Sequence, residues 1–153
     1  MIFIFQPKTT CIMYELIYSS KVKQGLNEKD ISAILESSRH YNQKNSITGC
    51  LLLYNNQFVQ ILEGEKKEVV ILYAKITQDV RHTDIILWAE NDKSKRTFKD
   101  WRMAFHNFND EPIKNIEDFI ALTNAIVIAD LTAKPTKSVK LFLDKVTQLF
   151  VDK

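Results

Sequence analysis

The chain has 153 residues, of which 45% are hydrophobic and 26% charged, and this composition excludes the disordered and fibrous classes. Its 21 basic and 19 acidic side chains give a net charge of +2, which argues against direct nucleic-acid binding or a membrane-binding surface. The two cysteines are far apart and ungrouped with histidine, so we expect neither a disulfide scaffold nor a zinc site, and a cytoplasmic location.

The N-terminal half of the chain alternates strand and helix patterns. Residues 1–13 form a short extension that is apolar but meets Pro7 too early for a membrane span. Residues 14–20 alternate as in a strand. Asn27 followed by Asp30 predicts a helix start, and the helical spacing continues to about Arg39.

A hairpin and a second helix are predicted next. Residues 46–54 and 57–63 are apolar and β-branched, and Asn55-Asn56 between them favours a two-residue turn. After Gly64, apolar residues recur at helical spacing until about Asp79. Residues 85–89 and 97–105 are then typical of two further strands.

The predicted order is therefore βαββαββ, the ferredoxin-like plan with an extra strand, which makes an α+β fold with a five-stranded mixed sheet. We expect two helices on one face, and the first and third strands as parallel central neighbours. Two further helical patterns follow Pro112 and Pro135. We thus expect one domain over residues 14–106 and a helical tail over 107–153.

One polar residue stands out in the predicted core. Alternation places Gln60 on an apolar face of the third strand, and a neighbouring first strand would bring Tyr18 beside it. A buried phenol–amide pair is most often structural. From pattern alone, a structural pair is favoured over a functional one.

A second group of polar residues follows the two helices. Asn42 is expected just after the first helix, and Asp79, Arg81 and His82 just after the second. With an apolar floor from Ile34 and Ile76, such a cleft would suit a flat heteroaromatic ligand with a polar or phosphorylated tail. A solvated turn is the alternative interpretation of Arg81 and His82, and spacing alone favours it.

Enzyme chemistry has no visible support, because phosphate-binding glycine loops, paired carboxylates, nucleophile triads and metal-ligand spacings are missing.

A basic stretch contains Lys93, Lys95, Arg96, Lys99 and Arg102, and we interpret it as solvated surface. Trp101, Met103 and Phe105 share one face of the predicted fifth strand, where core packing is the simplest role.

Six segments between Tyr14 and Phe105 share the order and spacing of a known family: Leu16-Ile-Tyr-Ser-Ser20, Ser37-Ser-Arg-His-Tyr-Asn42, Ile47-Thr-Gly-Cys-Leu-Leu52, Phe58-Val-Gln-Ile-Leu-Glu-Gly64, Asp79-Val-Arg-His82 and Phe98-Lys-Asp-Trp-Arg-Met103. Together they resemble a BLUF domain, the bacterial blue-light sensor that uses a flavin. The chain is similar to the short members, in which only two helices follow the sensor.

The resemblance implies a role for each matching residue. Tyr18 and Gln60 match the photoactive tyrosine and its glutamine partner, and Trp101 and Met103 match a pair that passes the signal on. The remaining matches are residues around the flavin: Ile34, Ser38, Asn42, Ile76, Asp79, Arg81 and His82. Tyr41 departs from the family pattern, where some relatives have a second asparagine, and Ser46 replaces a frequent glycine.

The resemblance also implies a mechanism and partners. The cofactor is FAD, with FMN or riboflavin as alternatives, and light drives an electron and a proton from Tyr18 to the flavin, after which the Gln60 hydrogen-bond network is rearranged. Strand five and the tail helices carry the change to a regulatory protein, and homo-oligomerisation is expected. The protein itself is expected not to be an enzyme. The alternative is a ferredoxin-like interaction module without a light function.

Overall fold

The computed structural model describes residues 12–98, 102–107, 109 and 144. In this part of the chain, five strands and two helices follow one another in the predicted order: β1 (Met13–Val22), α1 (Glu28–Lys44), β2 (Thr48–Tyr54), β3 (Gln57–Glu65), α2 (Lys66–Thr77), β4 (His82–Lys93) and β5 (Ala104–Asn107). The predicted tail helices, most of the N-terminal extension, Lys99 and Trp101 lie outside the described residues.

The strands form one mixed sheet in the order β4-β1-β3-β2-β5. β1 and β3 are central neighbours, as predicted, but the expected parallel direction is wrong, because they pair antiparallel. The crossover through α1 makes β2 run parallel to β1 with one strand position left between them. β3 returns from β2 by a hairpin and fills that position, so it must run against both neighbours.

α1 begins as predicted and ends later. Asn27 accepts hydrogen bonds from the Lys29 and Asp30 amides at 2.9 and 3.1 Å, and Asp30 accepts from the Asn27 amide at 2.8 Å, which completes a capping box. The predicted end near Arg39 is wrong, because the helix continues to Lys44. No glycine or proline interrupts residues 40–44, so nothing in them breaks the helix.

The hairpin prediction is confirmed. Asn55 and Asn56 have φ angles of 47° and 62°, the left-handed conformation that a two-residue turn requires. Ser46, before β2, also has a positive φ of 53°. This conformation explains physically why a glycine would be favoured at that position.

The last two strands differ from their predicted limits. β4 spans residues 82–93 rather than 85–89, and β5 begins at Ala104 rather than at Thr97. Thr97 and Phe98 instead form bends that are held by side chains of the sheet, as shown below. β5 lies parallel to β2 at the sheet edge, which makes the sheet mixed, as expected.

Both helices pack on one face of the sheet, here called the front face. The core there combines the two helices with alternate strand residues: Tyr14, Leu16, Tyr18, Leu51, Leu53, Phe58 and Leu62. The opposite, rear face carries the intervening residues, including Ile17, Cys50 and Ile61, which are also buried. Burial raises the pKa of the Cys50 thiol to about 12, so this thiol is inert at neutral pH.

Candidate functional site

A cleft opens on the front face between α1 and α2. Its lining contains all of the predicted ligand-contacting residues: Tyr18, Ile34, Ser38, Asn42, Gln60, Ile76, Asp79, Arg81 and His82. The two helices supply its apolar sides, and β1 and β3 supply its base. Sequence reasoning therefore identified positions that the fold brings together from six separate elements or turns.

Sequence reasoning missed three apolar members of this lining, Leu51, Phe58 and Leu72. Leu51 and Phe58 share the front face with Gln60, and Leu72 lies one helical turn before Ile76. Strand alternation and helical spacing were therefore sufficient signals for all three.

The base of the cleft holds a buried chain of three side chains. Tyr18 and Gln60 are cross-strand partners, and the Tyr18 hydroxyl donates a hydrogen bond to Gln60 Oε1. Gln60 Nε2 donates to Met103 Sδ at 3.2 Å, just before β5. Since an amide nitrogen carries two hydrogens, Gln60 can also donate to an acceptor inside the cleft.

Tyr18 lies in an apolar environment that keeps its phenol neutral. Burial raises the pKa of Tyr18 far above its ordinary value, and neighbouring Tyr73 and Asp79 act in the same direction. The Tyr73 ring lies 5.6 Å from the Tyr18 ring, centroid to centroid. A neutral phenol keeps its proton on the bond to Gln60.

Asn42 holds one end of the cleft, and its position corrects a prediction. It lies inside α1 rather than after it, and it is buried. Its Nδ2 donates to the Arg102 carbonyl at 2.6 Å. Its Oδ1 is the only buried side-chain nitrogen or oxygen without a hydrogen-bond partner among the residues described. A buried acceptor of this kind requires a donor, and a ligand in the cleft can provide it.

Polar residues at the mouth of the cleft are organised by Asp79. Its carboxylate accepts from Arg81 Nε at 2.9 Å and from Arg81 Nη2 at 2.5 Å. These bonds lower the pKa of Asp79 despite partial burial. His82 Nδ1 lies 2.8 Å from Ser20 Oγ, and burial lowers the pKa of His82, so the imidazole is neutral at pH 7. Arg81 lies in the turn before β4, and the side chains of Arg81 and His82 are both half-buried and hydrogen-bonded.

The departure at Tyr41 has a structural consequence. Lys75 Nζ of α2 lies 4.5 Å from the centroid of the Tyr41 ring of α1. This cation–π contact joins the two helices that flank the cleft.

The basic stretch was also interpreted wrongly in part. The Lys93 side chain is only 4% exposed and binds two buried carboxylates, and Arg96 binds the carbonyl oxygens of Ser46 and Glu63. Lys95 and Arg102 are exposed, as expected. Periodicity could not identify the pairing of Lys93 and Arg96, because their partners Glu15, Glu63 and Ser46 are distant in sequence.

Two functional classes find no support within the described ranges. No cluster of three or more histidine, cysteine, aspartate or glutamate side chains there is arranged to hold a metal ion. None of the helices in that part of the chain is long and apolar enough to cross a membrane.

Comparison with known proteins identifies the family. Residues 13–104 match the family model described as BLUF, sensors of blue-light using FAD. This match covers more than half of the chain, and the chain belongs to the BLUF family. Its fold is therefore that of a flavin-based blue-light photoreceptor domain.

Curated relatives match the chain over the sensor segment only. The photoactivated adenylate cyclase subunit beta of Euglena longa is 46% identical over 71 residues, which are 46% of this chain and 8% of the relative. The blue light- and temperature-regulated antirepressor BluF of Escherichia coli (strain K12) is 34% identical over 71 residues, 18% of its length. The chain thus spans a small fraction of these relatives.

Solved structures show the same architecture over more of the chain. The dark-state structure of the BLUF protein BlrB has a TM-score of 0.64 at 27% identity and covers 80% of this chain and 99% of BlrB. The photo-activated state of BlsA has a TM-score of 0.65 at 29% identity, covering 87% of this chain and 93% of BlsA. These similarities confirm the ferredoxin-like prediction.

The residues of the cleft fit the flavin that this family uses. The ring of a flavin is flat and apolar on both faces, and its pyrimidine edge carries one N–H donor beside carbonyl acceptors. Ile34 and Ile76 on the two helices suit its faces, and the unpartnered Asn42 Oδ1 suits the donor at its edge. The second hydrogen of Gln60 Nε2 suits an acceptor on the ring.

Proposed function

We propose that this chain is a blue-light receptor in which Tyr18 donates an electron and a proton and Gln60 is the switching group. The observation that carries the proposal is the buried hydrogen bond from Tyr18 to Gln60 Oε1 at the base of the cleft. Bound flavin supplies the absorption of blue light and an acceptor for the electron.

Gln60 can retain a light-induced rearrangement because its side-chain oxygen accepts hydrogen bonds whereas its side-chain nitrogen donates them. In the structure, Oε1 accepts from Tyr18 and Nε2 donates to Met103. A change of amide orientation or tautomer exchanges acceptor and donor at these positions, so the bonds to Tyr18 and Met103 must both change. The new arrangement persists because the surroundings are buried and few competing partners are available.

Met103 is proposed to be the first residue that responds to the rearrangement of Gln60. Its sulfur contacts Gln60, and its carbonyl accepts from Arg39 Nε at 3.2 Å, while the preceding Arg102 carbonyl is held by Asn42. A change at Gln60 therefore acts on the start of β5. Trp101, which lies outside the described residues, is proposed to share this role on the basis of the family resemblance.

The proposed output is a biased equilibrium read by another protein. The sensor is proposed to span residues 14–106 and the output segment residues 107–153. Relatives with this sensor include an adenylate cyclase and an antirepressor. By analogy, this chain acts on a regulatory protein, by contact and not by its own catalysis, and it self-associates.

The test is the visible absorption spectrum of the purified flavin-bound protein before and after a blue pulse, with recovery followed in the dark. We expect a small, reversible red shift in the unmodified protein, none in Tyr18→Phe, and retained flavin in both. Tyr73→Phe is the matched control, because it removes a neighbouring hydroxyl that lies outside the Gln60 chain, and we expect its red shift to be normal.

Two results would overturn the proposal. A normal red shift in Tyr18→Phe would exclude Tyr18 as the donor. A protein that cannot be loaded with FAD, FMN or riboflavin would instead support the interaction module without a light function.

A further inference from the structure

The rear face of the sheet carries a buried charge cluster that the proposed light reaction does not use. Glu15 of β1 and Glu63 of β3 are cross-strand partners, and Lys93 at the end of β4 lies between their carboxylates. Lys93 Nζ donates to Glu15 Oε2 at 2.7 Å, to Glu63 Oε2 at 2.8 Å and to Thr97 Oγ1 at 2.8 Å. All three hydrogens of the ammonium group are therefore used.

Glu63 is the centre of this cluster. Its Oε2 accepts from the Thr97 amide at 2.9 Å in addition to Lys93, and its Oε1 accepts from Thr48 Oγ1 at 3.0 Å and the Phe98 amide at 2.5 Å. Two of these four donors are backbone amides of the connection between β4 and β5. A fully buried carboxylate with four donors is held in place, and its hydrogen bonds in turn hold the amides of Thr97 and Phe98.

This connection leads directly to Met103. At its start, the backbone amides of Thr97 and Phe98 donate to the Glu63 carboxylate. At its end, the Arg102 carbonyl accepts from Asn42, and the Met103 carbonyl accepts from Arg39. The Met103 sulfur therefore reaches Gln60 from a residue whose carbonyl is bound to α1, five residues after the Phe98 amide that Glu63 holds. The end fixed by α1 is close to the cleft, whereas the end fixed by Glu63 is on the opposite face.

The geometry points to Glu63 as a positioning residue that sets the contact between Met103 and Gln60, and thereby the lifetime of the light-induced state. The inference rests on the proposed function, because that lifetime belongs to the Tyr18–Gln60 switch. Gln60 and Glu63 are three residues apart on β3 and so face opposite sides of the sheet. β3 therefore carries one residue on each face, and the Glu63 side chain holds the chain five residues before Met103.

The test compares Glu63→Gln with Glu65→Gln in the full chain with flavin bound. Glutamine keeps the size of Glu63 but loses the charge opposite Lys93 and replaces one acceptor oxygen by a donor. Glu65 is exposed at the end of the same strand, so its variant controls for the loss of a carboxylate. We expect Glu63→Gln to change the dark-recovery rate by about 2- to 30-fold, and Glu65→Gln to leave it unchanged.

A second measurement separates positioning from general destabilisation. The methyl resonance of ¹³C-labelled Met103, recorded in the dark, reports its contact with Gln60. We expect it to shift in Glu63→Gln and to remain unchanged in Glu65→Gln. If Glu63→Gln does not fold, Thr97→Val removes one acceptor of Lys93 from the connection, and we expect the same two changes at smaller size.

The inference is overturned if a folded variant of the cluster leaves the Met103 resonance unchanged, whatever happens to recovery. It is also overturned if the resonance shifts while recovery stays the same as in the control. Failure of the proposed function has a different signature: the unmodified protein then shows no reversible red shift, whereas the dark-state resonance still tests whether Glu63 sets the position of Met103.

Discussion

The two central strands carry two polar pairs in the same register but on opposite faces. Tyr18 and Gln60 face the cleft, and Glu15 and Glu63, three residues along each strand, face the rear. The front pair is neutral, and the Gln60 amide can both accept hydrogen bonds and donate them. The rear pair is charged, and every hydrogen bond of Glu63 described above has a fixed donor.

With the proposed switch at Gln60, the difference would let one sheet combine switching with rigidity. An amide can exchange its donor and acceptor ends without a change of charge, whereas a buried carboxylate that loses a charged donor is strongly destabilised. A neutral pair is therefore suited to change state, and a charged cluster is suited to hold its surroundings still. Two predictions test this contrast, and a third, with a smaller effect, concerns the mouth of the cleft.

Gln60→Leu is expected to have the largest effect, complete loss of the light-induced red shift. Leucine fills a similar volume but cannot accept from Tyr18 or donate to Met103, so no alternative hydrogen-bond arrangement exists. Flavin should remain bound, since Asn42 and the flanking helices are unchanged. Absorption before and after a blue pulse measures the result, and Gln57→Leu, at the start of the same strand, is the control. A normal red shift in Gln60→Leu would show that the switch lies elsewhere.

Lys93→Met is expected to lower the free energy of unfolding by about 3–5 kcal/mol, because it leaves Glu15 and Glu63 buried without their shared cation. Urea denaturation of the flavin-bound protein measures the loss. Lys95→Met is the control, because Lys95 belongs to the same basic stretch but is exposed. We expect it to change stability by less than about 0.5 kcal/mol. Equal effects of the two variants would mean that the rear cluster does not hold the fold.

The third and smallest effect concerns pH at the mouth of the cleft. Burial lowers the pKa of His82 below its ordinary value of 6.5, although Asp79 acts in the opposite direction. As pH falls below 6.5, the unfolded chain therefore takes up a proton before the folded chain does. The free energy of unfolding should decrease on acidification, and the contribution of His82 should be fully present above its unfolded-state pKa.

Thermal unfolding between about pH 7.5 and 5 measures this effect. The decrease should be smaller in His82→Gln, which cannot be protonated, and unchanged in His40→Gln, whose imidazole is exposed on α1. The same pH dependence in His82→Gln as in the unmodified protein would exclude His82 as its source.

Local chemistry determined much of this protein from the sequence alone. Strand alternation, helical spacing, the Asn27 cap and the Asn55-Asn56 turn depend on neighbouring residues. The predicted elements, the cap and the turn all appear, although the limits of α1, β4 and β5 differ. The cleft residues were predictable for a related reason: six short segments keep the spacing of the BLUF family, and spacing along a known fold determines position in space.

Only the tertiary structure decided which polar groups are buried and how they are paired. Lys93 meets carboxylates 78 and 30 residues away, and a pattern of basic residues cannot show such partners. The same holds for the antiparallel pairing of β1 with β3, the late start of β5 and the unpartnered oxygen of Asn42. Each depends on which distant segments the fold brings together, because burial and hydrogen bonding are set by neighbours in space.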